Sequence, residues 1–374
     1  MKEIREILDQ ISGLEIGEKA VLATVVDLKG SGYRLPGARM LIRANGDAVG
    51  TVSGGCLEAD VMERAKRVLK SGLAEVFTYD TTADENSVFS LNMGCRGVMR
   101  ILLEAVDGTS EIIAALRSVR TTRQPTASAV LIAIQGPSRL AIGSRIFLSN
   151  SGPTDPIDTC GLCLPFPTLC EDLYTFSGSS SYETIRYETA DGVVEFAFES
   201  LKPSVRLLIF GAGADAVPLA DAAYALGWQT AVCDHRPAFL NRERFAAADE
   251  LLMAARDSTP QFTSDKLTAI VLMNHNYDRD KALLPQALRS HAFYVGALGP
   301  KKRTSQILDE LNAAGESFSG VELARLRSPA GLDIGADTPE AIAISMIAEI
   351  QSVFRKRSGG PLRDRQAPIY DRKT

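Results

Sequence analysis

The sequence is poor in cysteine, histidine and aromatic residues, and it contains no long apolar run. Six cysteines in 374 residues are too few for a disulfide scaffold, which predicts a reduced, cytoplasmic protein. No stretch approaches the roughly 18 consecutive apolar residues of a membrane span, and the acidic N-terminal segment lacks the apolar core of a secretory signal. A net charge of −5 argues against a general nucleic-acid binder. We therefore expect about two globular domains, with neither a membrane nor a nucleic acid as partner.

Apolar segments alternate with helical segments throughout the second half of the chain. This alternation predicts a Rossmann-like, doubly wound parallel sheet over residues 203–357. A C-terminal helix is expected from about Pro339 to Phe354, because proline is favoured in a first turn and Asp337 or Thr338 can cap it. The polar segment 358–374 is expected to be a flexible tail.

A Gly-rich turn opens this second half. Gly211, Gly213 and Ala216 follow an apolar strand and begin a helix, and Asp234 ends the next strand. That pattern is typical of a dinucleotide-binding turn, with the acidic residue favouring NAD over NADP, although such folds also bind other nucleotides or none. His275 follows a third strand and could orient a ligand, transfer a proton or serve structure alone. Two further loops could line the same edge of the sheet: Gly296–Lys302 and Ser328–Asp333.

The first half, residues 1–200, reads as a mixed α/β domain with a weak internal repeat. Three segment pairs resemble each other: the segments beginning at Ala20 and Ala129, at Gly37 and Gly143, and at Phe77 and Ile185. They suggest two copies of one unit, of which only the first keeps a Gly-rich turn. The alternative is that any two strand–loop–strand segments look alike.

An irregular loop is expected over residues 149–181, which contain three cysteines and neither lysine nor arginine. Cys160 and Cys163 form a CxxC pair, with Cys170 close behind. A zinc or redox site is one interpretation, but the fourth ligand of a closed zinc site is missing. Exposed loop cysteines are the favoured interpretation.

Two Gly-flanked cysteines are the sharpest chemical signal in the first half. Cys56 follows Gly54 and Gly55 at the start of a helix, where N–H groups and the helix dipole favour a thiolate or a phosphate. Cys95 lies between glycines beside Arg96. Each could instead be structural, as a small apolar residue or part of a tight turn. Because this half contains no histidine, the pair argues for sulfur chemistry or ligand holding rather than a Cys–His hydrolase.

The loop from Gly30 to Arg39 contains small residues, a proline and two arginines. Ser31, Arg34 and Arg39 suit an anionic, phosphate-bearing ligand. The alternative is a strand connection with solvated arginines.

Together these motifs resemble the XdhC/CoxI family, in family order and across nearly the whole chain. The segments that carry the resemblance are GSGYRLPGARMLI, GTVSGGCLEADV, MGCRG, LLIFGAGADAVPLA, MNHNYD, YVGALG and SPAGLDIGADTPEAIAISMIAEI. The resemblance implies an N-terminal XdhC-type domain followed by the Rossmann-like domain. It also implies a dimeric accessory factor that binds molybdenum cofactor, as molybdopterin or its dinucleotide form, and is not itself the oxidoreductase.

Such a factor supports exchange of an oxo for a sulfido ligand and delivers the cofactor to an apo molybdenum hydroxylase of the xanthine dehydrogenase type. A cysteine desulfurase supplies the sulfur. By this resemblance Cys56, with Cys95, would ligate molybdenum or exchange sulfur. Further residues would contact the cofactor or a nucleotide: Ser31, Arg34, Arg39, Gly54, Gly55, Arg96, Gly211, Gly213, Asp234 and His275.

Two motifs depart from the family pattern: Arg96 replaces an expected glycine, and Asn274 precedes His275 where threonine is usual. Two other functions stay open. An NAD-dependent dehydrogenase would explain the second half but not the two cysteine turns. A scaffold that docks the desulfurase to its client would need no small-molecule site.

Overall fold

The computed structural model describes residues 2–80, 97–136, 140–148, 156–158, 167–177, 182–189, 192–256 and 258–367. The chain forms two compact units with a boundary between Pro203 and Ser204. The first unit comprises Glu3–Pro203, and the second begins at Ser204.

The first unit contains four helices and ten strands within its described residues. They are α1 (Lys2–Ser12), β1 (Ala20–Gly30), β2 (Arg39–Arg43), β3 (Ala48–Gly50), α2 (Glu58–Ser71), β4 (Glu75–Asp80), β5 (Gly97–Val106), α3 (Glu111–Thr122), β6 (Thr126–Gln135), β7 (Arg145–Leu148), β8 (Pro156–Asp158), α4 (Pro167–Ser177), β9 (Tyr182–Thr189) and β10 (Gly192–Leu201).

The internal repeat is confirmed by the sheet topology. The first sheet has the order β3-β2-β1-β5-β4 and the second β8-β7-β6-β10-β9, so corresponding strands take corresponding places. All neighbours are antiparallel, and the ladder skips one residue at the same place in each copy, Val26 in β1 and Ile132 in β6. A shared bulge of this kind indicates one structural unit used twice.

One of the three sequence pairings was out of register. Val25 exchanges backbone hydrogen bonds with Gly37 and Ala38, and Leu131 does the same with Gly143 and Ser144. Val25 therefore corresponds to Leu131, so the counterpart of Ala129 in the first copy is Ala23 and not Ala20. The pairing of Phe77 with Ile185 is correct, because these residues face Ile101 and Phe196 at equivalent points of the two sheets.

The same side-chain contact fastens a helix to each sheet. Tyr79 on β4 donates a hydrogen bond to Asp60 on α2 (2.6 Å), and Tyr187 on β9 donates to Asp172 on α4 (2.7 Å). The α4 helix corrects the prediction of an irregular loop over residues 149–181. Its buried residues are spaced to form one helical face: Leu169, Leu173 and Phe176.

Buried ion pairs join the two copies reciprocally. Arg39 of the first copy pairs with Glu199 of the second, while Arg145 of the second pairs with Glu104 of the first (2.8 Å). The two arginines occupy equivalent strand positions, and so do the two glutamates. This exchange makes the first unit an internal pseudo-dimer with approximate two-fold symmetry.

A third ion pair lies on the approximate symmetry axis. Arg100 on β5 and Glu195 on β10 are themselves equivalent residues, and they contact each other at 2.6 Å. Arg100 also binds Asp27 at 2.8 Å. The two copies therefore carry opposite charges at one equivalent position, which provides a specific electrostatic contact between them.

The second unit is built on one parallel sheet of six strands in the order β13-β12-β11-β14-β15-β16. Its elements are β11 (Arg206–Phe210), α5 (Ala216–Ala225), β12 (Gln229–Asp234), β13 (Glu250–Met253), β14 (Thr268–Leu272), α6 (Tyr277–Arg289), β15 (Tyr294–Ala297), α7 (Lys301–Ala313), α8 (Gly320–Ala324), β16 (Leu326–Arg327) and α9 (Pro339–Phe354).

This arrangement confirms the predicted fold class, a mixed α/β domain followed by a Rossmann-like domain. Apolar side chains from the two faces of the sheet form two cores, one with α5 and α9 and the other with α6 and α7. The predicted capping of α9 is also confirmed, because the Thr338 hydroxyl accepts from the Ala341 N–H. Within the predicted tail, Leu362–Asp364 form one turn of 3-10 helix. Among the described residues, no helix has the length and apolarity needed to cross a membrane.

Candidate functional site

The Gly-Gly-Cys loop joins β3 to α2 in the first copy of the repeat. Gly54 and Gly55 have φ values of 85° and 116°, which glycine adopts readily and other residues rarely do. Cys56 is an exposed free thiol, two residues before α2 begins at Glu58. The loop therefore presents a sulfur atom to solvent from a specialised backbone conformation.

The carboxylate of Glu58 lies inside this loop and organises it. It accepts backbone N–H groups at 2.9–3.2 Å and two hydroxyl groups: the N–H groups of Val52, Ser53, Gly54, Gly55 and Leu57, and the hydroxyls of Thr51 and Ser53. Burial alone would raise the pKa of Glu58, but the hydrogen bonds from Ser53 and Thr51 lower this pKa to about 2. The loop is thus folded around an internal anion.

The N–H groups of Gly54 and Gly55 were predicted to face an anionic ligand or the Cys56 thiolate. In the structure these N–H groups donate to the Glu58 carboxylate. Glu58 was not among the predicted site residues, although an acidic residue in the first turn of a helix beside two glycines is a signal for such a contact.

The loop from Gly30 lies beside the Gly-Gly-Cys loop. A Cβ on Gly54 would lie 2.5 Å from the Tyr33 ring, so the glycine allows that ring to pack closely. Gly97 is equally close to Ser31, because its Cβ would lie 2.6 Å from the Ser31 carbonyl oxygen. The structure therefore brings Ser31 close to Gly97, at the end of the second cysteine turn. Cys95 and Arg96 themselves lie outside the described residues.

The two arginines of the Gly30 loop have different surroundings. Arg39 is buried, with its side chain only 2% exposed, and it binds Glu199 and the Gly37 carbonyl oxygen. Arg39 was predicted to contact a phosphate, whereas here its guanidinium joins the two copies of the repeat. Arg34 pairs with Glu3 at the surface, and its side chain is 28% exposed.

The Gly-rich turn of the second unit has the geometry that its sequence predicts. Gly211 has a φ of 115°, and a Cβ there would lie 2.3 Å from the Met273 carbonyl oxygen, so the glycine allows two strand ends to approach. The His275 ring lies over Gly213, where a Cβ would come within 3.2 Å of it. His275 Nε2 is 3.1 Å from an Asp215 carboxylate oxygen. The turn and His275 therefore share one edge of the sheet.

Asp234 stabilises the Gly-rich turn through a hydrogen bond from the Ala212 N–H. Its buried carboxylate accepts the Ala212 N–H (2.7 Å), the Arg236 N–H (2.9 Å) and the Arg236 guanidinium (2.8 and 3.0 Å). Burial would raise the pKa of Asp234, but the Arg236 and Ala212 hydrogen bonds hold that pKa well below its usual range. Both oxygens accept hydrogen bonds within the protein, so an NAD ribose would have to compete with Arg236 and the Ala212 N–H for the predicted contact.

The remaining cysteines offer no assembled metal site in the described part of the chain. Cys170 lies half-buried on α4, where burial raises the pKa of its thiol, while Cys160 and Cys163 lie outside the described residues. Across the described ranges, no three His, Cys, Asp or Glu side chains are grouped to hold a metal ion.

A cavity of about 580 Å³ opens at the edge of the second unit, where the sequence predicted two loops to line a site. Leu298, Gly299 and Pro300 form one wall, and the segment from Pro329 to Ala336 forms another. The cavity confirms that these loops meet at the carboxyl edge of the parallel sheet, which is where such sheets place ligands.

Comparison with known families identifies both halves of the chain. The family model described as the XdhC and CoxI family matches residues 14–80, and the model described as the XdhC Rossmann domain matches residues 207–350. Together the two models span more than half of the chain. The chain belongs to the XdhC and CoxI family, as the motifs predicted.

Individual proteins are similar over nearly the full length. A Bacillus subtilis protein named as a probable subunit of xanthine dehydrogenase is 29% identical, over 94% of this chain and 97% of that protein. The molybdenum cofactor insertion chaperone PaoD of Escherichia coli is 25% identical, over 92% of this chain and 86% of that protein. A crystal structure described as a xanthine dehydrogenase of Bacillus halodurans superposes with a TM-score of 0.72 at 27% identity, over 96% of this chain and 97% of that one.

Proposed function

We propose that this protein is a molybdenum cofactor-binding accessory factor. It binds the cofactor, supports its sulfuration and inserts it into an apo molybdenum hydroxylase of the xanthine dehydrogenase type. Support comes from its family and from its similarity to an insertion chaperone and to a probable subunit of xanthine dehydrogenase. The observation that carries the proposal is the exposed Cys56 on a loop organised by Glu58. The proposed setting is a cytoplasmic homodimer.

Cys56 is the proposed contact with the molybdenum of the delivered cofactor, because a soft thiolate suits that ion. Cys95 is its proposed partner, and a cysteine desulfurase is the proposed source of the sulfur that the cofactor receives. Ser31, Arg34 and Arg96 are the proposed contacts with the anionic end of the cofactor. Arg39 is left out of this set because it is buried against Glu199.

The Gly211 turn is the proposed contact with the nucleotide of a dinucleotide cofactor, with Gly213 and His275 beside it. An NAD-dependent dehydrogenase would need the Asp234 carboxylate for the ribose of its cofactor. The engagement of Asp234 by Arg236 and Ala212 therefore argues against that alternative.

Replacing Cys56 by serine is expected to abolish cofactor retention. The protein would be mixed anaerobically with freshly released molybdenum cofactor and gel-filtered, and molybdenum and oxidised pterin would be measured in the protein peak. Near-stoichiometric pterin is expected with the unchanged chain, and at least tenfold less with Cys56→Ser. Cys170→Ser, which changes a half-buried free thiol, is the matched control. Equal retention by Cys56→Ser would refute the role of Cys56, and no retention by the unchanged chain would refute the proposed function.

A further inference from the structure

The helices on the two faces of the second unit's sheet differ in charge. α6 and α7 cover one face, and each has five charged residues among its 13. α5 and α9 cover the other face, but α5 has one charged residue among its 10 and α9 has two among its 16. A helix at a protein surface normally directs charged and polar residues outwards. The layer formed by α5 and α9 therefore lacks the usual polar covering.

One of these few charges is used inside the protein. The Glu349 carboxylate on α9 accepts the hydroxyl of the buried Tyr294 (2.6 Å) and the Gly331 N–H (2.8 Å). Apolar side chains are exposed on the same layer: Ile344 of α9 is 60% exposed, and Leu226 at the end of α5 is 44% exposed. An outer surface with apolar side chains and few charges is typical of an interface with another protein.

The exposed face of α9 has an ordered sequence pattern. The five residues of this face follow one another at intervals of four, four, three and four, a spacing that places them on one side of a helix: Glu340, Ile344, Ala348, Gln351 and Arg355. Glu340, Ile344 and Arg355 are exposed, and Ala348 is half-buried. The face therefore begins with an acidic residue, has an apolar middle and ends with a basic residue.

This pattern is complementary to itself when two copies of α9 run antiparallel. About a two-fold axis between Ile347 and Ala348, Glu340 of one copy lies opposite Arg355 of the partner subunit. A two-fold contact forms each such pair twice. The small side chain of Ala348 near the axis allows two helices to approach closely. A parallel arrangement would instead place like charges opposite each other, so the charge order favours an antiparallel second copy of this chain as the occupant of this surface.

We propose that the outer surface of the α5 and α9 layer, centred on α9, is the contact through which two copies of this chain associate. The α9 helices of the two copies pack antiparallel across a two-fold axis. Ile344 and Ala348 lie in the apolar middle of this interface, and the pairs between Glu340 and Arg355 lie at its ends. The proposal assigns a surface to the homodimer proposed above, and it rests on that part of the proposed function but not on cofactor binding.

Ile344→Arg is expected to convert the dimer into a monomer, because the two-fold axis places two cations in the apolar middle of the interface. Size-exclusion chromatography with light scattering measures the mass of the full chain as a function of concentration, and the unchanged chain is expected at twice 40.2 kDa. The variant is expected to raise the dissociation constant at least a hundredfold. Val321→Arg, at an exposed apolar position of α8, is the matched control and is expected to leave the constant unchanged. Circular dichroism verifies that each variant folds.

Exchange of the two end charges tests the antiparallel arrangement. Glu340→Arg alone and Arg355→Glu alone each place like charges opposite each other at both ends of the interface, and each is expected to raise the dissociation constant at least tenfold. The double variant restores opposite charges and is expected to return the constant to within about threefold of that of the unchanged chain. If these charges acted only on the dipole of their own helix, the double variant would show no such recovery.

Three results would overturn the proposal: an unchanged chain that stays monomeric at high micromolar concentration, equal dissociation constants for Ile344→Arg and Val321→Arg, or a double charge variant that associates no more tightly than the single ones. A monomeric chain whose binding to the apo hydroxylase is lost in Ile344→Arg would assign this surface to that client and would also overturn it. Pterin retention by the unchanged chain distinguishes this failure from failure of the proposed function. A dimer without pterin refutes only the delivery of cofactor, and a monomer with pterin refutes only this interface.

Discussion

Glu199→Ala is expected to lower the free energy of unfolding of the first unit by about 3–5 kcal/mol, because it leaves the Arg39 guanidinium buried without its carboxylate. Arg39 is one of the largest fully buried side chains of the protein, and Glu199 also accepts the Tyr182 hydroxyl hydrogen bond. Urea unfolding followed by circular dichroism measures the loss. Glu63→Ala is the matched control, since Glu63 forms an exposed pair with Lys66 and its loss is expected to cost about 1 kcal/mol or less.

The approximate two-fold symmetry extends this prediction to the equivalent ion pair in the other copy. Glu104→Ala removes the equivalent partner of Arg145 and is expected to have a similar effect. Replacing the whole pair, with Arg39→Met and Glu199→Leu, is expected to recover most of the loss, because no charge is then left buried. A loss below about 1 kcal/mol in both single variants would show that water reaches these arginines and that the ion pairs do not hold the copies together.

The internal repeat shows why local sequence predicts elements better than contacts. The Gly37 and Gly143 segments have similar sequences because each forms the same turn before a strand. This similarity can be recognised from the amino-acid sequence alone. The reciprocal pairing of Arg39 with Glu199 joins residues far apart in the chain. Spacing along the sequence contains no signal for such a contact, so Arg39 was predicted to bind a ligand.

The second unit shows the same limit at its candidate site. The positions of the Gly211 turn and Asp234 follow from the strand–turn–helix pattern, which is local. The hydrogen bonds that Asp234 accepts depend on Arg236 and on the Ala212 N–H, and these groups compete with any ligand for the carboxylate oxygens. The cavity could be predicted to the extent that both of its loops follow parallel strands, but the hydrogen bond from the Gly331 N–H to the Glu349 carboxylate (2.8 Å), which joins one of these loops to α9, could not.

Glu58→Gln is expected to loosen the Gly-Gly-Cys loop while α2 stays folded. The variant replaces an anion that accepts five backbone N–H groups by an amide, whose NH₂ group cannot accept them. Because hydrogen bonds to charged groups are among the stronger ones, a loss of about 1–3 kcal/mol in the free energy of unfolding is expected. Hydrogen exchange of the peptide that contains Gly54 and Gly55 is expected to be at least tenfold faster.

The loop also links Glu58 to the proposed function. If Cys56 contacts molybdenum, its position depends on the backbone that Glu58 holds, so Glu58→Gln is expected to reduce pterin retention severalfold with the thiol still present. Glu63→Gln on the exposed face of the same helix is the matched control. Faster exchange with unchanged pterin retention would show that Glu58 serves loop stability alone, and unchanged exchange would refute its role in the loop.

The pH dependence of the free energy of unfolding distinguishes the contribution of the Glu58 charge from the contribution of its side-chain shape. The pKa of Glu58 is lowered from 4.5 to about 2, so the folded protein favours the carboxylate. Stability from this charge is fully present above about pH 4.5 and is lost as the pH falls towards 2. The difference in unfolding free energy between the unchanged chain and Glu58→Gln is therefore expected to be constant from pH 7 to 5 and to shrink below pH 4.5. A difference that stays constant down to pH 3 would mean that the loop depends on the shape of the side chain and not on its charge.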